Sequence, residues 1–214
     1  MIVYWLLALP TAVIAYYCGS VSTLVLAGNY IFHKNLRKLG RGNAFLSNFK
    51  RVYGIKGAVY LLLTEAVKDI VPILIGSLIF MLKGHGDVGR AFAGFCIVMG
   101  RLWPFNNLRG SHATMTLIFA ALMTETSVGL AAAFMVIVFL LWTKYISLAT
   151  IMGALGVLMF TILVVDDKLI MILMILTATA VLIKHIPSIK RLIKGKEQKY
   201  SFETDLLYKL DEKF

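Results

Sequence analysis

The chain has 214 residues, of which 59% are hydrophobic and only 15% charged, with a mean hydropathy of +0.82. A soluble domain of this size has no interior able to hold so much apolar surface, so a water-soluble enzyme is excluded and an all-α, polytopic integral membrane protein is predicted. The formal net charge of +11 then reads as cytoplasmic loops facing anionic headgroups, with no nucleic-acid partner expected.

A membrane helix needs about 20 apolar residues, or somewhat fewer inside a bundle. The first such run is residues 2–27, interrupted only by Pro10. It has no basic start and no small-x-small cleavage pattern, and is expected to be a retained span. A polar stretch, 28–56, separates it from a second run, 60–82, which carries Glu65, Lys68 and Asp69. Residues 91–103 form a third run, followed by a polar segment at 104–112. Runs 113–123 and 128–142 are parted by Thr124-Glu125-Thr126-Ser127, and runs 146–165 and 169–183 by Asp166-Asp167-Lys168. This order predicts about seven transmembrane helices in one membrane domain over 1–200. A C-terminal tail, 201–214, could form a short surface helix.

Charge sets the orientation. Counting alternate sides of the seven runs, one side holds eighteen Lys and Arg residues and the other only Lys83, Arg90 and Lys168. The richer side is expected to face the cytoplasm, which places the N-terminus outside and the C-terminus in the cytoplasm of a multi-pass protein of the cell inner (plasma) membrane. Cys18 and Cys96 lie within apolar runs at no metal or disulfide spacing, and are expected to be small buried hydrophobes. Pro10, Pro72 and Pro187 are expected at kinks or helix boundaries. Lys68 lies inside a span, where a bare charge is costly. Its expected partner is Glu65, one turn earlier, or Asp69, giving a structural intramembrane pair.

Three polar segments share the cytoplasmic side. Residues 39–51 read L-G-R-G-N-A-F-L-S-N-F-K-R, with no acid anywhere from 30 to 63. Gly40 and Gly42 let the backbone around Arg41 turn and approach a ligand closely, and amides and guanidinium groups are what a phosphate site requires. Residues 101–116 read R-L-W-P-F-N-N-L-R-G-S-H-A-T-M-T, and 184–199 read K-H-I-P-S-I-K-R-L-I-K-G-K-E-Q-K. No His, Cys and Asp set has metal-ligand spacing and no carboxylate pair suits glycoside chemistry, so neither metal nor cofactor is expected. His112 and His185 are the candidate proton-transfer groups on this side.

In this order and on this side, the three segments resemble the PlsY family, the bacterial acyl-phosphate:glycerol-3-phosphate acyltransferases, small seven-span enzymes of about this length. The family's first motif begins G-S and runs to G-S-G-N-x-G-A-T-N-x-x-R. Gly19-Ser20, Gly40-Arg41-Gly42-Asn43, Asn48 and Arg51 match it. Its second span carries D-x-x-K-G-x-x-P, which is similar to the stretch from Glu65 through Lys68 to Pro72. Its second motif, G-H-x-F-P and then K-G-G-K-G-V-A-T, is similar to Gly100-Arg101-Leu102-Trp103-Pro104 and then Arg109-Gly110-Ser111-His112. Its third, R-H-x-x-N-I-x-R-L-x-x-G-x-E, resembles the stretch from Lys184 and His185 to Gly195 and Glu197. Among the departures, Arg41 stands for Ser, Arg101 for His, His112 for Lys and Ser188 for Asn.

The resemblance implies transfer of a fatty acyl group from acyl phosphate to glycerol 3-phosphate, giving lysophosphatidate on the cytoplasmic face. It implies catalytic roles for His185, Asn43, His112 and Ser188, with His112 standing in for the missing Lys. Substrate binding would fall to Arg41, Asn48, Arg51, Arg109, Gly110, Lys190, Arg191 and Glu197. Partners would be the two substrates and membrane lipid, with the protein a monomer or weak oligomer. A catalytically altered relative that binds lipid phosphates or joins a complex is the alternative. An organic-anion carrier is a third reading, and no inverted repeat or paired broken helices support it.

Overall fold

The computed structural model describes residues 2–21, 46–105, 113–197 and 199, and every regular element among them is helical. The helices are α1 (Ile2–Ser20), α2 (Leu46–Met81), α3 (Gly86–Leu102), α4 (Thr114–Thr124), α5 (Thr126–Thr143), α6 (Ile146–Val164), α7 (Lys168–Lys184) and α8 (Ile186–Ile193). The chain divides into two compact units, one of residues 1–21 and 66–199, the other of 22–65 and 200–214. The described part of the second unit is the first half of α2.

The first unit is built around α3, which packs against α1, α4 and α7, while α5 packs on α6 and α6 on α7. Its core is apolar and small-grained: Ala93, Ile97, Val98, Leu117, Ala132, Ala154, Val157, Ala178 and Val181. Side chains sort by size. On α5, Val128, Gly129, Ala132 and Val136 are buried, whereas Leu130, Phe134, Ile137 and Leu141 form an outward stripe at helical spacing, each more than half exposed. Small residues inside and large apolar ones outside is the reverse of a soluble bundle. It is what helices in lipid require, because close backbone approach holds them together and the outer face needs no water. By length and composition, α5 and α6 each suffice to cross a bilayer, and α7 with α8 does so if that bent pair counts as one span.

Helix ends follow local chemistry. Asp167 caps α7, its carboxylate accepting from the N–H groups of Leu169 (2.8 Å) and Ile170 (3.0 Å). Lys144 ends α5 in the left-handed region, at φ 60°. Asp87 and Arg90 pair within the first turn of α3. Pro10 and Pro72 lie inside helices, while Pro187 sits in the first turn of α8, where its missing N–H costs nothing.

The helices depart from the hydropathy pattern in two places. α2 begins at Leu46, inside the stretch read as polar loop. A span's helix can continue past the apolar region as long as its backbone bonds close internally, and hydropathy does not register such an extension. α4 has eleven residues, about 17 Å at the rise of a helix, well short of a bilayer's hydrocarbon thickness. The expected short surface helix at 201–214 lies outside the described residues.

Within α2, Lys68 and the fully buried Asp69 are 3.6 Å apart, and the Lys68 ammonium also donates to the carbonyl of Val21 (3.1 Å). Asp69, one of the two expected partners, makes an ion pair with Lys68, and the carbonyl of Val21, just after α1, accepts a hydrogen bond from the same ammonium. Glu65 is buried.

Candidate functional site at the α7–α8 junction

The polar residues of the third segment are organised by a break. The α7 helix ends at Lys184, α8 starts at Ile186, and their axes differ by 47°. His185 caps the junction and is almost fully buried, at 1% exposure. His185, Ser188 and Arg191 fall at intervals of three, so a single face of α8 carries all of them. Ser188 is buried, whereas Lys190 projects from the opposite side of the turn and is exposed.

Two features orient this face. The Nδ1–H of His185 donates to the carbonyl of Val181 at 2.8 Å, which makes Nε2 the acceptor nitrogen of the neutral ring. His185 lies just past the last residue of α7, and burial pulls its pKa below the ordinary 6.5. The Val181 bond and the charge of Glu197 oppose that shift, and Arg191 and Lys184 add to it. The neutral imidazole is therefore favoured near pH 7.

The second feature is the turn after α8. Gly195 adopts φ 65°, its N–H bonds the carbonyl of Leu192 (3.0 Å), and the N–H of Lys196 bonds that of Arg191 (2.9 Å). This is a Schellman cap, which needs a residue able to hold a left-handed backbone. It folds the chain back so that Glu197 reaches the helix it has just left. Arg191 Nε donates to Glu197 Oε2 at 2.6 Å, and Arg191 Nη2 donates to Ser188 Oγ at 2.8 Å. The other carboxylate oxygen, Oε1, accepts from the hydroxyl of Ser147 at the start of α6.

The starts of α4 and α6 add further hydroxyls. Thr150, one turn after Ser147, donates to the carbonyl of Ile146 (2.9 Å). Its single proton is thus committed, so Thr114 is the donor in the 2.5 Å contact between the two threonines. Before α4, Ala113 holds φ 53°. The indole of Trp103, after α3, receives the ammonium of Lys184 at 5.2 Å, and its carbonyl accepts from Tyr16 of α1 at 2.7 Å. Arg101 is buried in the last turn of α3, where the helix dipole favours a cation.

Of the residues singled out from sequence, His185, Ser188, Arg191 and Glu197 are thus brought together. Asn48 and Arg51 lie in the first turns of α2. Arg41, Asn43, Arg109, Gly110 and His112 lie outside the described residues. Sequence reasoning missed Ser147, Thr150 and Thr114. Their only signal was hydroxyls at the starts of apolar runs, which hydropathy treats as neutral.

A family model described as glycerol-3-phosphate acyltransferase matches residues 9–195. The glycerol-3-phosphate acyltransferase of Thermoanaerobacter sp. is 28% identical over 200 residues, covering 93% of this chain and 98% of its own. That of Macrococcus caseolyticus is 30% identical over 191 residues, covering 89% and 95%. The crystal structure of PlsY (YgiH), an integral membrane glycerol 3-phosphate acyltransferase, in its glycerol 3-phosphate form aligns with a TM-score of 0.75 at 23% identity, over 91% of this chain and 96% of that one. The fold is therefore shared.

Proposed function

The chain belongs to the glycerol-3-phosphate acyltransferase family, and we propose that it uses acyl phosphate as its donor, releasing inorganic phosphate and forming lysophosphatidate. It is an integral membrane glycerol-3-phosphate acyltransferase. A non-catalytic role is disfavoured by a match that takes in the first two polar segments and reaches into the third. The observation that carries the reading of the site is the junction itself: a buried neutral imidazole and a pinned guanidinium on one face of α8.

An acyl phosphate is already activated, so no acyl-enzyme is required. The acceptor hydroxyl attacks the acyl carbon, the bond from that carbon to the phosphate oxygen breaks, and the phosphate leaves with the electron pair. The hydroxyl proton ends on the departing phosphate. The protein has to bring two anions together, and cations offset their repulsion. In this reading Arg51 and Arg191 hold phosphate groups, supported by Arg41, Asn48, Arg109, Gly110 and Lys190. Asn43, Ser188 and the Nε2 of His185 orient the acceptor hydroxyl and the acyl phosphate, and His112 supplies the charge that relatives take from Lys.

The acyl chain lies between spans, entering from the inner leaflet. In this reading seven spans rest on the order of the apolar runs, and an outer N-terminus and a cytoplasmic active face in the plasma membrane rest on the cation bias. The protein acts as a monomer or weak oligomer. The test is phosphate release from acyl phosphate by purified protein in lipid. Release should depend on glycerol 3-phosphate and match lysophosphatidate one to one. Lysophosphatidate formed only from a different acyl donor refutes the donor assignment.

A further inference from the structure

We infer that Ser147 and Glu197 are positioning residues, which hold the Arg191 guanidinium in the orientation in which it meets a substrate phosphate. The inference rests on Arg191 as a phosphate ligand.

The contacts form one chain from the bundle to the exposed edge. Ser147 is 3% exposed on α6, the Glu197 side chain is 10% exposed, and that of Arg191 is 50% exposed. Its buried end is a hydroxyl on a long helix packed against α5 and α7. Its outer end is a guanidinium on a helix of only eight residues. Left to itself, such a side chain would sample many rotamers and lose them on binding a ligand. Glu197 on Nε and Ser188 on Nη2 fix the plane of the fork and leave the rest of it for an oxyanion.

A carboxylate beside an anion site weakens anion binding by repulsion, so its presence calls for a compensating role. Glu197 is not held by Arg191 alone. The Ser147 hydroxyl donates to Oε1, drawing negative charge toward the interior and away from the exposed face of the fork. The Gly195 turn gives the carboxylate its direction. Stability alone does not account for the outer end of this chain, since the guanidinium is half exposed and its attraction to the carboxylate is screened by water. Glu197, a substrate-binding candidate from sequence, has both oxygens on protein donors and acts through Arg191. Ser147, which no motif marks, is the anchor.

The test uses full-length protein in lipid, with KM for glycerol 3-phosphate, kcat and the unfolding midpoint measured together. Ser147→Ala and Glu197→Gln should each raise KM about tenfold, the loss expected for one hydrogen bond to a charged group, with kcat and midpoint little changed. Ser147→Thr keeps the hydroxyl and should restore KM. In an Arg191→Ala background, neither substitution should raise KM further. If Arg191→Ala leaves KM unchanged, the reading of Arg191 fails. If Arg191→Ala raises KM but Ser147→Ala and Glu197→Gln do not, the positioning inference fails. It fails equally if Ser147→Ala still raises KM when Arg191 is absent. Glu197→Gln is nearly isosteric, so it carries the test should Ser147→Ala unfold.

Discussion

Among the described glycines, those where α1 meets α3 leave the least room for a side chain, and Gly100→Ala probes that contact. A Cβ added at Gly100 would lie 2.1 Å from the carbonyl oxygen of Tyr16, and one added at Gly19 would lie 2.1 Å from that of Ile97. Ordinary contact begins near 3.4 Å, so each methyl overlaps a backbone atom by 3.4 − 2.1 = 1.3 Å. Neither oxygen can move alone, because each belongs to a helix backbone. The two helices must separate by about the overlap, and a gap of that size forfeits a large part of the dispersion energy along the seam. Overpacking typically costs about 1–3 kcal/mol, and a rigid backbone on both sides puts this case near about 3 kcal/mol. For a chain of this length, that is a fall of about 10 °C in Tm. Gly19→Ala should cost a similar amount. The double variant should cost clearly less than the sum, since one separation relieves both clashes. Thermal unfolding of the four proteins in one detergent gives the cycle. A Tm unchanged in Gly100→Ala, or strictly additive losses, would refute the reasoning.

Four further outcomes are expected. Ala113 sits at φ 53°, so Ala113→Val should cost at least about 1–2 kcal/mol and Ala113→Gly should cost nothing; equal unfolding midpoints for the two would remove the strain argument. Lys68→Met leaves buried Asp69 without its cation and should cost about 3–5 kcal/mol, while Lys68→Met with Asp69→Leu should recover part of the loss; a double variant no better than the single counts against the pair. The depressed pKa of His185 means that the neutral ring's contribution is complete above the ordinary 6.5 and is lost as pH falls through the lower folded value. The acid limb of kcat/KM should therefore lie below 6.5 and vanish in His185→Gln, and a limb above 6.5 would contradict it. Single-Cys variants at Lys38 and Lys196 should label from the cytoplasm and one at Thr126 from outside; reversed labelling at Thr126 ends the seven-span orientation.

Much of this was legible in advance, for identifiable reasons. Helix α7 was bounded correctly because Asp167 is both a charge that ends one apolar run and a cap that starts the next. A partner for Lys68 was expected because a charge inside a span needs a neighbour within reach, but sequence left Glu65 and Asp69 both open, and the ion pair with Asp69 was visible only in the fold. Gly195 and Glu197 stand two apart in the third segment, and the structure explains that spacing as a left-handed cap followed by a returning carboxylate. The second family motif, continued in register, puts a glycine where this chain has Ala113, and positive φ is what such a position demands. Ser147 and Thr150 were illegible. Their role arises only when α6 is placed beside α4 and α8, and nothing in a local pattern records which helices become neighbours. The start of α2 was missed because a polar helical extension and a polar loop have the same hydropathy.

The shortness of α4 sets the depth at which its first hydroxyls lie. Its eleven residues cover about 17 Å, little more than half of a hydrocarbon layer about 30 Å thick. One residue after α4 ends, α5 begins a run long enough to cross. If the junction at Glu125 marks one surface of the membrane, the threonines at the opposite end of α4 stop about 10 Å or more short of the other surface. The hydroxyls of Thr114 and Thr150, 2.5 Å apart, then lie below that surface, at the depth of lipid chains. Under the proposed reaction, a lipid-borne acyl group would meet them without lifting its chain out of the bilayer, the small polar substrate would descend instead, and the product would leave by a sideways step.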